Sequence, residues 1–326
     1  MTRAKIIGVG SYAPKRVLTN ADLEKMVETN DAWIVQRSGI RERHIADDTE
    51  ATSDLAFKAA QQAIERANLL PDEIDFIAVG TTTPDMYFPS TGNLLQYRLG
   101  CRRAGSVDML AACAGSIYSL AVGAQFIETG KYRRVLCVGA ETLSRITDWT
   151  DRGTCVLLAD AAGAAVLEAS EDDSGILDVD LYSDGQFWNL LYMPAGGSRH
   201  PATQETVEAR MHYAKMKGSE VFKVAVRMFE ECATTMLARH GLTSNDLALF
   251  IPHQANLRII EVAAKRLGMP MERVFVNIDR YGNTGAASVY VALEEAVSSG
   301  RIQRGDLVLL AAFGGGFAWG TALMRW

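Results

Sequence analysis

The sequence predicts an α/β protein built from two similar halves, and three observations carry that prediction. Short apolar runs of strand length, KIIGVG at 5–10, IDFIAVG at 74–80, RVLCVG at 134–139 and residues 163–168, alternate with longer segments of helical periodicity. The second half repeats the first at a step of 173 positions: Asp72–Gly80 (DEIDFIAVG) aligns with Asn245–His253 (NDLALFIPH), and Arg134–Val138 (RVLCV) with Leu307–Ala311 (LVLLA). At the same step, a small-residue helix around Cys113 aligns with a second one, Gly285–Ala296 (GAASVYVALEEA). The letters match weakly, but the spacing holds across strand, helix and strand. The division is expected at residues 1–173 and 174–326, across the acidic turn SEDDSG that begins at Ser170.

In chain order, the strand at 5–10 leads into a Gly/Pro loop, one helix is capped near Asn20 and the next starts near Asp31. That second helix carries Trp33 and Arg37 one turn apart on one face. Ser53–Ala67 is an amphipathic helix, Pro71 opens a connection, and the strand at 74–80 ends in the loop Thr81-Thr82-Thr83-Pro84. Asp108–Ile127 (DMLAACAGSIYSLAVGAQFI) has no charged side chain from Met109 onward, so it reads as a central helix buried on every side. Cys113, following the strand-like run GSVDM, is expected in its first turn, where unpaired N–H groups and the helix dipole favour a thiolate. That is a place for a nucleophile, although a lone free cysteine is more often a small core residue. Asn256 opens a helix on which Arg258, Lys265 and Arg266 recur at helical spacing. The uncharged run Leu307–Met324 is split by three glycines at 314–316 into two strand-length pieces.

Composition narrows the function classes. With 326 residues, 48% of them hydrophobic, the chain can bury a large core. A net charge of −6 argues against a chain-wide basic surface for nucleic acid, so an acidic partner would need a local basic site. Five cysteines without metal-like pairing suit a reducing cytoplasm. The start MTRAKIIGVG lacks the apolar core of a signal peptide, and neither long uncharged run reads as a membrane span.

Ordered along nearly the whole chain are DAWIVQRSGIRERHIA (31–46), Ala112-Cys113-Ala114-Gly115, TDRGT (150–154), PHQANLRI (252–259), YGNTGAAS (281–288) and AFGGGFAWG (312–320). In these motifs the chain resembles β-ketoacyl-acyl-carrier-protein synthase III, a family of the thiolase fold; one departure is Ser116, where that family often has an aromatic residue. The resemblance implies a thiolase-like fold, two duplicated halves in an α-β-α-β-α layering, with Cys113 as the acylated nucleophile and His253 and Asn283 completing the active site. Those residue types suit the chemistry. An acyl group passes from coenzyme A to a cysteine, and malonyl-carrier protein then loses carbon dioxide to give a carbanion that attacks it. A histidine N–H and an asparagine amide can both hold the enolate oxygen. Backbone N–H groups of Cys113 and Gly315 would form a second oxyanion hole.

By the same resemblance, coenzyme A would contact Thr29, Trp33, Arg37 and Arg152, with Gly218, Phe222 and Asn256 along the pantetheine path. Arg258, Lys265 and Arg266 would dock the acidic carrier protein. Thr82, Phe88, Leu143, Leu158 and Phe313 would line the acyl pocket, with Phe88 reaching across the seam of a homodimer. No metal or bound redox cofactor is implied, and coenzyme A enters as part of a substrate. Three alternatives stay open at this point: a starter condensing enzyme of secondary metabolism, a non-catalytic carrier-protein binder, and a thiol hydrolase in which His253 is a general base.

Overall fold

A computed structural model describes residues 2–326. Along the chain run β1 (Ala4–Tyr12), α1 (Asp31–Ser38), α2 (Thr52–Arg66), β2 (Phe76–Gly80), α3 (Thr91–Leu99), β3 (Gly105–Met109), α4 (Gly115–Glu128), β4 (Arg134–Thr142) and β5 (Asp160–Ala169). The second part contributes β6 (Gly175–Ser183), α5 (Gly218–Arg239), β7 (Leu249–Pro252), α6 (Leu257–Arg266), α7 (Ser288–Ser298), β8 (Leu307–Gly314) and β9 (Ala318–Arg325). Of the two larger sheets, one has the order β1-β5-β4-β2-β3 and the other β7-β8-β9-β6; two short two-stranded pairs complete the strands.

The step of 173 reappears in the hydrogen-bond register. Phe76 pairs with Val135 in a parallel ladder, and Leu249, 173 residues on, pairs with Val308 in another. β4 then pairs antiparallel with β5, as β8 does with β9. Strand alternation sorts the side chains into layers. Val135 and Cys137 of β4, with Val308 and Leu310 of β8, face a central core that contains Ile117 and Leu120 of α4 and Val289 and Leu293 of α7. Leu136 and Val138 point the other way, against Leu55, Ala59 and Ala63 of α2. Leu309 and Phe313 point outward from the second sheet against Phe229 of α5 and Ile260 of α6. Five layers result, α-β-α-β-α, and the small-residue helices form the middle one.

Several boundaries differ from the sequence reading. The expected helix over 108–127 gives up its first residues: Asp108 and Met109 end β3, Ala112–Ala114 is a 3-10 turn, and the α-helix starts at Gly115. The second small-residue helix behaves alike, with a 3-10 turn at Gly285–Ala287 before α7. Each turn has a left-handed residue at its first position, Ala112 at φ +46° and Gly285 at φ +55°. That backbone blocks a regular helical entry, and for an alanine it is strained. Near the N-terminus the cap is Thr19 rather than Asn20, whose amide instead donates to Asp31 and to the Ile40 carbonyl.

The two 3-10 turns meet where glycine lets backbones touch. A Cβ on Gly115 would lie 2.9 Å from Gly80 Cα and 3.1 Å from Ala286 Cβ, and one on Gly139 would lie 2.1 Å from the Ala286 carbonyl oxygen. Tyr290 of α7 locks the pair, donating to the Ser116 carbonyl (2.9 Å) and sharing a hydrogen bond with Ser119 Oγ (2.9 Å). Gly139→Ala should therefore push the turn that follows Asn283 off β4, at a cost of at least about 2 kcal/mol of stability. The check is the denaturant midpoint against the wild type at unchanged m-value.

Candidate active site

Cys113 sits in the middle of the 3-10 turn that opens α4, not in the first turn of the helix. The thiolate expected there is not favoured. Burial pushes the Cys113 thiol up to about 12, the Glu141 carboxylate adds to the rise, and only the cysteine's own amide opposes it. The end of β8 lies directly on this turn, since a Cβ on Gly314 would come within 2.5 Å of the Cys113 nitrogen. Glycine there keeps the Cys113 amide clear, and Gly315 follows at the start of the hairpin.

His253 directly follows β7, its amide donating to the Ala311 carbonyl at 2.7 Å. Its ring is 1% exposed, with Phe313 edge-on at 5.6 Å between centroids, and its Nδ1 lies 2.5 Å from Ser288 Oγ. Burial lowers its pKa to about 3, so the imidazole is neutral at neutral pH. Asn283 is fixed by a two-hydrogen-bond bridge, its amide donating to Leu157 O and its carbonyl accepting from Ala159 N, each at 2.9 Å. Its side-chain Oδ1 accepts from Gly285 N–H at 3.0 Å. The oxygen is thereby committed, and the amide NH2 is the end left to donate.

At the mouth, the guanidiniums of Arg37 and Arg152 both lie over the Trp33 ring, at 4.8 and 5.0 Å from its centroid. Arg152 also donates to the Glu28 carbonyl, next to Thr29, whose buried Oγ1 has no partner among the described residues. Asn256 caps α6 through its Oδ1 and donates from Nδ2 to the Arg37 carbonyl, tying α6 to α1. Gly218 opens α5, and Phe222 on the next turn lies under the Arg258 guanidinium.

The chain matches known proteins over nearly its whole length. The family model described as 3-oxoacyl-[acyl-carrier-protein (ACP)] synthase III matches residues 107–185, and its C-terminal counterpart residues 237–326. Proteins named beta-ketoacyl-[acyl-carrier-protein] synthase III are 53% identical in Caldanaerobacter subterraneus subsp. tengcongensis and 54% in Xanthomonas campestris pv. campestris, each over 99% of this chain and 98% of the relative. The chain belongs to the β-ketoacyl-[acyl-carrier-protein] synthase III family. A crystal structure of 3-oxoacyl-[acyl-carrier-protein] synthase III from Aquifex aeolicus VF5 superposes with a TM-score of 0.92 at 47% identity, covering 99% of this chain and 100% of that one.

Within this synthase III fold, four of the five residues expected around an acyl chain lie near the Asn283 turn or His253, and Phe88 points away. Thr82 opens onto a cleft of about 530 Å3 together with Met86, Tyr87 and Met193. Leu143 and Leu158 flank the Asn283 turn, one beside Gly285 and the other bridged to Asn283 itself. Phe313 backs the His253 ring, and Phe88 projects outward at 85% exposure. Of the three docking cations, Arg266 is already paired with Glu230 at 2.5 Å. Among the described residues no group of three or more His, Cys, Asp or Glu is arranged to hold a metal ion.

Sequence reasoning missed four residues. Ser288 and Tyr290 looked like ordinary members of a small-residue helix. Gln254 ties the end of β7 to the stretch 275–277, donating to Pro252 O and Phe275 O and accepting from Asn277 N. Glu141 is a fully buried carboxylate that accepts from Thr82 N (3.1 Å), Thr82 Oγ1 (3.0 Å) and Thr83 Oγ1 (2.6 Å). The one available signal for it was an acidic residue ending a buried strand.

Burial raises the Glu141 pKa from 4.5 to about 7. Between those values the folded chain holds a proton that the unfolded chain releases, so its contribution to stability is full below 4.5 and is lost as pH rises through about 7. Glu141→Gln does not titrate. Wild-type stability should thus fall relative to this variant by about 3 kcal/mol between pH 4.5 and 8, and paired denaturation curves across that range measure it.

Proposed function

We propose that this chain is an acyltransferase that condenses an acyl-CoA primer with malonyl-acyl carrier protein to give a β-ketoacyl-acyl carrier protein, starting fatty-acid synthesis through an acyl-Cys113 intermediate. The observation that carries the reading is the meeting of three parts: the Cys113 turn under the glycines of β8, a neutral His253, and an Asn283 whose amide donors are left free. Identity of 53–54% over the full chain to proteins named for this reaction supports it over a secondary-metabolite starter enzyme.

In the first half-reaction Sγ of Cys113 attacks the thioester carbonyl, the developing oxyanion is held by the Cys113 and Gly315 N–H groups, and coenzyme A leaves carrying the thiol proton. No net base is consumed. In the second, the malonyl carboxylate departs as carbon dioxide, and His253 Nε2–H and the Asn283 amide hold the enolate oxygen while its carbon attacks the acyl-cysteine; the thioester bond breaks, and the Cys113 thiolate that leaves takes a proton from water to restore the thiol. Trp33, with Arg37 and Arg152, offers an adenine platform that Arg152 would close from above, and Thr29 Oγ1 is a free polar group beside it. Gly218, Phe222 and Asn256 border the way inward. Thr82, Leu143, Leu158 and Phe313 are assigned to the surroundings of the acyl group.

A homodimer in the cytoplasm is part of the proposal. Its support is an apolar patch beside the edge strand β3, with Leu110 84% and Tyr87 77% exposed around Phe88. The division at 1–173 and 174–326 belongs to it as well, each part carrying one sheet. No helix among the described residues is long and apolar enough to cross a membrane.

The test separates the half-reactions. His253→Ala and Asn283→Ala should still gain the acyl mass from acyl-CoA but lose carbon dioxide release from malonyl-carrier protein by roughly 100-fold or more, whereas Cys113→Ser should not be acylated. Loss of the mass shift in His253→Ala as complete as in Cys113→Ser would make His253 the base for the thiol and favour the hydrolase-like reading. For docking, Arg258→Ala and Lys265→Ala should weaken use of malonyl-carrier protein in a salt-dependent way while sparing acylation. Arg266→Ala should matter less, because Glu230 already neutralises it; steady-state kinetics on both substrates reads the difference.

A further inference from the structure

The mechanism requires one tautomer of His253, and a residue outside the reacting set is placed to choose it. His253 is neutral, so it carries one ring proton, and the enolate can be held only if that proton is on Nε2. Nδ1 faces Ser288 Oγ at 2.5 Å. Two arrangements satisfy that contact: Nδ1–H donating to Oγ, or Oγ–H donating to Nδ1. The surroundings of Oγ separate them. Oγ already accepts from the Gln254 backbone N–H at 3.3 Å, and among the described residues Nδ1 is the one acceptor within hydrogen-bond reach of its proton. If Nδ1 carried the hydrogen, two donors would converge on Oγ while its own proton, in a residue only 2% exposed, had no acceptor.

We propose that Ser288 is a positioning residue that donates its hydroxyl proton to Nδ1 of His253, holding the ring in the tautomer whose Nε2–H faces the reaction. This inference rests on the reading of His253 as an enolate donor. Ser288 is well placed for it. It is the first residue of α7, directly after the 3-10 turn that begins two residues beyond Asn283. The same segment that sets the Asn283 amide thus also sets the imidazole, so the two donors to one oxygen are aligned by a single rigid element. Phe313, edge-on to the ring, restrains its plane but offers no polar atom and cannot select a tautomer. The nitrogen choice falls to the serine.

The experiment reads the tautomer directly. The wild-type protein is labelled with 15N-histidine, and the His253 signals are assigned by their absence in His253→Ala. The expected pattern is a protonated Nε2 and an unprotonated, hydrogen-bonded Nδ1 across pH 6–8; a protonated Nδ1 in the wild type overturns the proposal whatever the variants do. Ser288→Ala should shift the two nitrogens towards a mixture, lower carbon dioxide release from malonyl-carrier protein by roughly tenfold, and leave the acyl-CoA mass shift intact. Ser288→Thr, which keeps the hydroxyl, should restore both the nitrogen pattern and the release. Unchanged release in Ser288→Ala at normal folding overturns the inference. If instead His253→Ala retains release while the wild-type nitrogens show the expected pattern, the serine sets the tautomer but the enolate role assigned to His253 is wrong.

Discussion

Everything in this molecule depends on how closely two backbone turns approach at its centre. Gly80, Gly115 and Gly139 are small because neighbouring backbone occupies the space a Cβ would need: Gly80 and Gly115 press on each other, and Gly139 of β4 presses on the Ala286 turn, within 2.1 Å of an oxygen in the tightest case. Such contacts cannot be adjusted by a side-chain rotamer. The nucleophile's turn and the asparagine's turn therefore hold one geometry, and the buried Tyr290 hydroxyl fastens it with hydrogen bonds to the first turns of α4. Strain at Ala112 survives because this packing over-determines the backbone around it.

Around that seam the chain keeps its polar groups neutral or fully occupied. The imidazole is uncharged because it is buried, the thiol is protonated for the same reason, and Glu141 has its oxygens filled by threonine donors. A site of neutral dipoles suits a reaction whose charge appears only in passing, since fixed donors stabilise a transient oxyanion without a resident cation that would also hold the ground state. Apart from the buried Arg43, whose guanidinium is taken up by Leu18 O, Asn20 Oδ1 and Val156 O, the charges named above lie further out, with the arginines over Trp33 and on α6, where water screens them and where charged partners would first meet the surface.

Much of the order of strands and helices was legible because the central strands of each sheet are buried on both faces and read as unbroken apolar runs, and because the repeat preserved its spacing; the half-exposed β6, with its two aspartates, and the helix α3 carried no such signal and were not read. Cys113, His253 and Asn283 could be named from ordered motifs, and the Trp33–Arg37 pairing from helical spacing alone. What the sequence concealed was set by three-dimensional neighbours. The start of α4 could not be placed, because Ala112 gives no sign of a left-handed backbone. The raised thiol pKa comes first from burial and then from Glu141, 28 residues away in the chain. Arg266 looked free until Glu230 of another helix met it. Ser288 and Gln254 act through atoms brought to them by folding, and no local pattern marks such residues.

Applying the step of 173 to the site itself shows what became of the second copy. Cys113 corresponds to Ala286, His253 to Gly80, Asn283 to Leu110, and Glu141 to Gly314. At each pair one copy keeps a functional side chain and the other has been pared down or turned outward. A Cβ at Gly80 would strike the Gly115 carbonyl carbon at 2.4 Å, and Leu110 is directed to the surface. The duplication is thus symmetric in framework and, on the proposed mechanism, complementary in chemistry: one copy would hold the electrophile and the other would stabilise what attacks it. Neither copy contains a complete reaction centre, so the two cannot be separated, exchanged for one another or reduced to a single unit without losing the reaction.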